Sequence, residues 1–187
     1  MRIGSLFSGY GGLDAGVQSV LGGTVAWHVE YDKHPAAILA HHFPDVPNYG
    51  DVTAVDWSAV EPVDVLTGGY PCQPFSHAGK RKGEHDERHL WPWVEIAIGA
   101  LRPRIVVLEN VAGHLTLGGT TVVGSLAGLG YGARWGVVRA SDAGAAHRRA
   151  RLFIVAYTDG EHGDGRGNVG PGRWTEPTDR RVAAADA

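Results

Sequence analysis

Short apolar runs alternate with segments of helical spacing along the first 157 residues of the chain. Apolar runs of this length are typical of buried strands, whereas the other segments repeat apolar side chains every three or four residues, as amphipathic helices do. The pattern predicts strands at 3–7, 24–29, 63–66, 104–108, 134–139 and 152–156, and helices at 13–21, 35–42, 90–101 and 122–129.

This alternation of strand and helix predicts an α/β fold, with a mostly parallel sheet and helices on both of its faces. In such sheets, ligands bind beyond the carboxyl ends of the strands. Four chemically distinctive residues come directly after apolar strand runs, namely Gly9, Glu30, Cys72 and Glu109. The sequence therefore predicts a ligand site at this edge of the sheet, built from all four.

The end of the chain has a different composition. From Thr158 onward it is rich in Gly, Asp and Arg and nearly free of aliphatic residues before a terminal Ala-rich stretch. Such a segment cannot bury enough apolar surface to offset the entropy of ordering it. We expect one folded domain over residues 1–157 and a disordered Gly/Arg-rich tail or linker over residues 158–187.

Composition and charge restrict the class of protein. Hydrophobic residues make up 43% of the 187 residues, which suffices for a core, and the net charge of -3 argues against a generic basic coat for nucleic acid. Local basic segments at 80–82 and 148–151 can still contact phosphates. No apolar run approaches the roughly 20 residues of a membrane span, and the N-terminus lacks a signal-peptide pattern. We therefore expect a cytoplasmic protein without membrane contact.

Neither a disulfide nor a metal site is expected. The chain has a single cysteine, so it cannot form an internal disulfide. Its ten histidines include no His-Glu-x-x-His pattern, and no Cys-x-x-Cys occurs.

A glycine-rich loop, FSGYGG at residues 7–12, joins the first predicted strand to the first predicted helix. Glycines allow the backbone to approach a ligand, and the helix start offers free N–H groups to an anion. Glu30 follows Gly9 by 21 residues at the end of the second strand, where a carboxylate can bind ribose hydroxyls. No Lys-Ser or Lys-Thr follows the loop, so a nucleoside-type cofactor is favoured over ATP or GTP hydrolysis.

The single thiol, Cys72, lies in the stretch GGYPCQPFS between Pro71 and Pro74. A lone cysteine is ordinarily a small buried apolar residue. Two prolines this close exclude an interior strand and predict a rigid loop at the ligand edge of the sheet. Rigidity suits a nucleophile, because misplacement by ~1 Å can cost about 100-fold in rate. Cys72 is therefore a candidate to attack as the thiolate.

Several segments together resemble the cytosine carbon-5 DNA methyltransferases, in order and spacing, from about residue 2 to residue 157. The matching segments are FSGYGG, Pro71-Cys72-Gln73, the stretch from Gly79-Lys80 to Arg88, Glu109-Asn110-Val111 and Arg149-Ala150-Arg151. The resemblance implies a Rossmann-like, S-adenosylmethionine-dependent methyltransferase fold for residues 1–157. It also implies methyl transfer to carbon 5 of a cytosine that is flipped out of double-stranded DNA.

The resemblance assigns catalytic roles to four residues. Cys72 would add to carbon 6 of the base as a thiolate and form a covalent adduct. Glu109 would act as the acid beside ring nitrogen 3. Arg149 and Arg151 would hold the base and the cysteine loop by charge-assisted hydrogen bonds.

The same resemblance assigns binding roles. Phe7 would stack on the adenine of S-adenosylmethionine, Glu30 would bind its ribose, and Asp51 would bind its adenine amino group. The full set expected at the cofactor is Phe7, Gly9, Gly11, Gly12, Glu30, Asp51, Val52 and Pro71. Support of the cysteine loop and contacts with DNA are expected from Gln73, Ser76, Lys80, Lys82, Arg88 and His147.

The chain departs from the family pattern at two points. His147 stands where family members usually have Gln, two residues before the first Arg of the Arg-x-Arg motif. The family also continues after this motif with a target-recognition domain and a Gly-Asn-rich segment that completes the cofactor pocket. These 187 residues have no length for either. We expect recognition to come from a missing C-terminal region or a second subunit, and part of the first helix's apolar face to be uncovered without it.

Two alternatives to this function remain open from the sequence. A related branch methylates carbon 5 of cytosine in RNA and uses a similar cysteine motif. The chain could also be a non-catalytic remnant that binds S-adenosylmethionine or a partner.

Overall fold

Six strands form a single sheet in the computed structural model, which describes residues 1–71 and 90–158. The strands are β1 (Arg2–Leu6), β2 (Thr24–Val29), β3 (Val65–Gly68), β4 (Ile105–Val111), β5 (Gly132–Arg139) and β6 (Ala150–Tyr157). The helices of the described residues are α1 (Gly12–Leu21), α2 (Lys33–His42), α3 (Trp91–Leu101) and α4 (Gly119–Gly128).

The strand order is β2-β1-β3-β4-β6-β5. The pairs formed by β1, β2, β3 and β4 are parallel, and β6 is antiparallel to both of its neighbours. Among the described strands, β6 alone is therefore reversed. The expected mostly parallel α/β sheet is confirmed.

Helices cover both faces of the sheet, as predicted. On one face, Val17 of α1 packs against Ile3 and Val65, with Ile105 and Val107 at the edge of this cluster. We call this side the α1 face. On the other face a larger core includes Val94 and Ile98 of α3, and Val122 and Leu126 of α4, against the alternate residues of β1, β3, β4 and β6.

Several predicted boundaries shift by a few residues. β4 continues through Glu109 and Asn110 to Val111 and does not end at residue 108, and α4 begins three residues earlier than predicted, at Gly119. The expectation that Glu109 follows the strand is wrong, because Glu109 pairs with Phe153 of β6. Similarly, β3 runs to Gly68, since Thr67 and Gly68 pair with both β1 and β4.

Local sequence explains how the helices begin and end. The Asp32 side chain accepts a hydrogen bond from the His34 N–H and so caps the start of α2. Pro92 lies in the first turn of α3, where a missing N–H costs little, and Arg102, directly after α3, caps its end in a left-handed conformation. No helix of the described residues is long and apolar enough to cross a membrane.

Candidate active site

A groove of about 920 Å³ lies on the α1 face of the sheet, beside the carboxyl ends of β1 and β3. It brings together residues that the sequence places far apart. Its lining includes the predicted residues Phe7, Gly12, Glu109, Arg149 and Arg151. Three predicted catalytic residues and part of the glycine loop therefore share one groove.

The glycine loop turns sharply between β1 and α1. Gly9 and Gly11 have φ values of 54° and 79°, in the left-handed region that favours glycine. Phe7 also has a positive φ, 52°, which is uncommon for a large side chain. Gly11 occupies the cap position of α1, and no side chain of the described residues caps this helix start. The free N–H groups of the first turn are therefore available to an anionic ligand.

Glu30 joins the end of β2 to the glycine loop. Its Oε2 accepts a hydrogen bond from the Gly9 N–H at 2.8 Å, and its Oε1 accepts one from the Asp32 N–H at 2.8 Å. Each carboxylate oxygen keeps further lone pairs for a ligand hydroxyl. The structure thus brings Glu30 to the glycine loop, as the sequence predicted.

Asn48 is a residue of this region that the sequence analysis missed. Its Oδ1 accepts from the Glu30 N–H at 2.9 Å and from the Gly50 N–H at 3.1 Å, and its Nδ2 donates to the Glu30 carbonyl at 3.1 Å. Asn48 therefore fixes Glu30 relative to the turn that precedes Asp51. Its position two residues before a glycine is typical of an Asn turn, and this was the available signal.

Asp51 and Val52 lie outside the lining of the groove. The Asp51 Oδ1 accepts from both the N–H and the hydroxyl of Thr53, at 2.9 and 2.8 Å, so it stabilises its own turn. The Val52 side chain is buried. The structure connects these two residues to the site through Asn48 and Glu30.

Glu109 and Arg151 form an ion pair across β4 and β6. The Arg151 Nε lies 2.7 Å from the Glu109 Oε1, and their side chains are 25% and 29% exposed. Glu109 pairs directly with Phe153, so Arg151 is its diagonal neighbour on the adjacent strand. The half-buried pair is a charge-assisted hydrogen bond that orients both side chains into the groove lining.

Arg149 lines the groove from the segment that precedes β6 and has a φ of 21°, a strained value for a residue with a side chain. Such outliers persist where surrounding structure holds them, and they are frequent at functional sites. His147 is exposed and is not part of the groove lining.

The cysteine loop lies outside the described residues from Cys72 to residue 89. This holds for the predicted residues Cys72, Gln73, Ser76, Lys80, Lys82 and Arg88. The structure does place the start of the loop, because a Cβ atom at Gly69 would lie 3.7 Å from both the Glu109 Oε2 and the Phe7 carbonyl oxygen. The half-buried Pro71 follows two residues later.

A buried polar cluster beneath the glycine loop was also missed. The Asp14 carboxylate accepts hydrogen bonds from the Ser5 Oγ at 2.7 Å and from the Thr67 Oγ1, and all three side chains are buried. Asp14 therefore connects the first turn of α1 to β1 and β3. An acidic residue in the first turn of a helix was the available signal.

His28 lies on β2, directly opposite Ser5, and is 1% exposed. Burial lowers the pKa of His28 below its usual value, and the nearby Asp14 charge partly opposes this effect. Neither ring nitrogen has a hydrogen-bonding partner among the described residues. Among those residues, no cluster of three or more His, Cys, Asp or Glu side chains could hold a metal ion.

Solved structures of methyltransferases share this fold. Dnmt2 methyltransferase from S. pombe superposes with a TM-score of 0.70 at 18% identity, covering 87% of this chain and 53% of that chain. An E. coli prophage protein described as a DNA modification methyltransferase gives a TM-score of 0.70 at 28% identity, covering 84% of this chain and 47% of that chain.

Curated relatives are bacterial Type II methyltransferases. M.BsuFI of Bacillus subtilis is 34% identical over 157 residues, which are 81% of this chain and 38% of the relative. M.Bsp6I of Bacillus sp. (strain RFL6) is 34% identical over 170 residues, which are 87% of this chain and 54% of the relative. The chain thus spans about half the length, or less, of these two relatives.

The mostly parallel sheet with helices on both faces agrees with the fold that the sequence resemblance implies. The family model for C-5 cytosine-specific DNA methylases matches residues 1–183, nearly the whole sequence. The chain therefore belongs to the C-5 cytosine-specific DNA methylase family.

Proposed function

We propose that this chain is the catalytic and cofactor-binding part of an enzyme that methylates carbon 5 of cytosine in double-stranded DNA. One observation carries the proposal. The Glu109–Arg151 pair lies in the same groove as the glycine loop, next to the start of the segment that holds the single thiol. The proposed acid and the cofactor loop thus converge, together with the start of the cysteine loop, at one edge of the sheet.

S-adenosylmethionine fits the residues around the carboxyl ends of β1 and β2 and the start of α1. The uncapped first turn of α1 offers N–H groups to its carboxylate, and Glu30 offers acceptors to its ribose hydroxyls. The half-buried Phe7 supplies an aromatic ring for its adenine. When bound, S-adenosylmethionine supplies the methyl group that carbon 5 of the base acquires.

The protein's own residues make carbon 5 reactive. The Cys72 thiolate donates an electron pair to carbon 6, forming an S–C bond, and the ring electrons shift toward carbon 5 and nitrogen 3. A proton shared between the Glu109 carboxyl group and nitrogen 3 neutralises the added electron density there, and Arg151 fixes the carboxyl group through its Nε. After methylation, solvent accepts the carbon 5 proton, the electron pair of that C–H bond restores the ring double bond, and the S–C bond breaks to release Cys72 as thiolate.

Carbon 5 and carbon 6 are inaccessible to this chemistry inside a stacked duplex, so the cytosine must be flipped into the groove. Arg149 lines this groove, where its guanidinium group would offer a donor fork to the base or its phosphate. Phosphate contacts from the basic residues at 80–82 and 148–151 would position the duplex without reading its sequence.

We further propose that sequence recognition comes from a region beyond these 187 residues, in the same polypeptide or in a second one. The chain spans 38% and 54% of two full-length relatives. On the α1 face, Val138 and Val155 are 47% and 40% exposed at the groove, and Val20 of α1 is 80% exposed. A further segment that covers these valines would complete the cofactor pocket and connect it to the recognition region.

The experiment that tests the reaction is covalent trapping on DNA containing 5-fluorocytosine, whose carbon 5 cannot release a proton. The chain is combined with the region that supplies recognition and with S-adenosylmethionine. The parent should form an adduct that survives denaturation, whereas Cys72→Ala should form none and still bind the cofactor. An adduct with Cys72→Ala would eliminate Cys72 as the nucleophile.

Glu109→Gln tests the acid in the same assay. We expect methyl transfer to fall about 100-fold or more, the usual contribution of general acid catalysis. Glu61→Gln is the matched control, because it breaks a comparable pair, Arg2 Nε to Glu61 Oε1 at 2.6 Å, away from the groove. Equal rates in the two variants would contradict the role of Glu109.

A further inference from the structure

Both ends of the segment that holds Cys72 start from one buried aromatic pair. Tyr70 lies two residues before Cys72, and Trp91 begins α3, just after the segment. Their rings are 5.3 Å apart between centroids, and both side chains are buried. The Trp91 Nε1 also donates to the Ser125 Oγ of α4 at 3.2 Å. The two ends are therefore held against each other and against the α3–α4 layer.

A histidine connects this pair to the strand of the catalytic acid. The Tyr70 hydroxyl lies 2.8 Å from the His114 Nε2, and the two rings pack edge to face with centroids 5.5 Å apart. His114 belongs to the short 3-10 turn Ala112–Leu115, directly after β4. The Asn110 Nδ2 donates to the Tyr70 carbonyl at 2.9 Å. Tyr70 is thus bonded, through backbone and side chain, to the residues that follow Glu109.

Apolar packing alone would not require a hydroxyl group on Tyr70 or an imidazole ring on His114. Phenylalanine and leucine would fill the same space, whereas a buried hydroxyl and a buried imidazole nitrogen are costly unless they are hydrogen-bonded, as these two are to each other. Both residues are only 4% exposed, so water does not compete for the bond. A hydrogen bond is directional and fixes the separation of the two groups that apolar contacts would leave adjustable.

We propose that Tyr70 and His114 are positioning residues, whose buried hydrogen bond sets the start of the cysteine loop against the strand that carries Glu109. The inference rests on the proposed function, in which Cys72 and Glu109 act on one base. Nucleophile and acid approach that base from two separate segments, and a small displacement between them lowers the rate steeply. The Tyr70–His114 pair fixes these two segments relative to each other.

Four variants test the pair. Tyr70→Phe and His114→Leu remove the hydrogen bond and keep the bulk, and His114→Gln retains a polar group near the position of Nε2. Tyr131→Phe is the matched control, because Tyr131 is equally buried and its hydroxyl donates to the Pro103 carbonyl at 2.6 Å, in another part of the fold.

The first readout is the modification rate of Cys72 by a neutral thiol reagent, measured on the 187-residue chain. Since Cys72 is the only cysteine, the rate reports on this site alone. We expect Tyr70→Phe and His114→Leu to raise the rate about 3- to 10-fold, which is the factor that one ordinary hydrogen bond contributes. The double variant should add little to either single change, because both remove the same bond. His114→Gln and Tyr131→Phe should stay near the parent value.

The second readout is single-turnover methyl transfer with the recognition region present. Tyr70→Phe and His114→Leu should slow transfer about 10- to 100-fold at unchanged cofactor affinity, as expected for misplacement of the reacting groups. Rates and modification profiles equal to those of Tyr131→Phe would overturn this inference alone. Absence of a Cys72 adduct in the parent would overturn the proposed function and, with it, the inference.

Discussion

Glu30 holds two backbone N–H groups and is also the proposed ligand of the cofactor ribose. Its bonds to Gly9 and Asp32 keep the glycine loop in place before any ligand binds. Truncation therefore removes the ribose acceptor and loosens the loop. Substitution of this single residue should therefore change the affinity for the cofactor.

We predict that Glu30→Ala weakens S-adenosylmethionine binding by about 1–3 kcal/mol, the cost of leaving polar groups unpaired. Calorimetric titration of the chain measures this. Asp56→Ala is the control, since Asp56 also accepts a backbone N–H, from Ser58 at 3.0 Å, but holds a separate turn. Equal affinities of parent and Glu30→Ala would mean that Glu30 plays no part in the cofactor site.

His28 predicts a pH dependence of stability. Burial lowers its pKa in the folded chain, whereas the unfolded chain titrates near the ordinary value of 6.5. Below this pH the unfolded state binds more protons than the folded state, so the free energy of unfolding decreases as the pH falls. The contribution of neutral His28 is fully present above the unfolded pKa and is lost on acidification.

His28→Leu tests this assignment, because leucine cannot titrate and neither ring nitrogen of His28 bonds to a described residue. Urea unfolding at pH 7.5 and pH 5.5 should show a smaller loss of stability in the variant than in the parent. An identical loss in both proteins would assign the pH dependence to other groups.

At the scale of elements, the contact between β1 and β2 depends on one glycine. A Cβ atom on Gly4 would lie 2.2 Å from the Trp27 ring, which fills the space above β1. We expect Gly4→Ala to destabilise the chain by about 1–3 kcal/mol, because the buried indole has no room to move. Gly124→Ala in α4 is the control, since nothing lies within 4 Å of its Cβ position, and there the change should stabilise the helix. Urea unfolding that ranks the two variants in the opposite order would contradict this packing.

Elements bounded by glycine or proline were predictable from sequence. β2 matches its predicted range, 24–29, because Gly22 and Gly23 separate its apolar run from α1. The end of β4 was not predictable, since Glu109 and Asn110 remain in the strand through pairing with β6, about 40 residues later. In the local sequence, two polar residues after an apolar run indicate the end of a strand. Only the pairing with β6 shows that the strand continues.

The residues of the candidate site also divide into those that the sequence could predict and those that depend on the fold. The glycine loop, Glu30 and Glu109 were found because their residue types and spacing are informative within a short stretch. Asn48, Asp14 and the Tyr70–His114 pair act through contacts between distant segments, as in the Asp14 bond to Thr67, 53 residues away. No local pattern specifies such contacts, so they require the fold.

At the scale of the whole molecule, the described residues form a six-stranded sheet with one incompletely covered face. Helices α3 and α4 cover the face opposite α1, whereas exposed valines of β5, β6 and α1 border the groove on the α1 face. In the proposed function, the described basic and acidic residues of the groove act on the base, and no described segment is left over to read base edges. This division supports an enzyme whose catalytic and recognition functions reside in separate regions.

Transfer of labelled methyl groups from S-adenosylmethionine into duplex DNA would show whether this chain is the catalytic part of a cytosine carbon-5 methyltransferase. The product nucleoside is identified by mass spectrometry. The chain is assayed alone and with the region that supplies recognition, and Cys72→Ala is assayed in parallel. We predict 5-methyldeoxycytidine when the chain and the recognition region are both present, little or none with the chain alone, and none with Cys72→Ala. Robust sequence-specific methylation by the 187-residue chain alone would contradict the division of functions, and methylation of RNA only would contradict the proposed substrate.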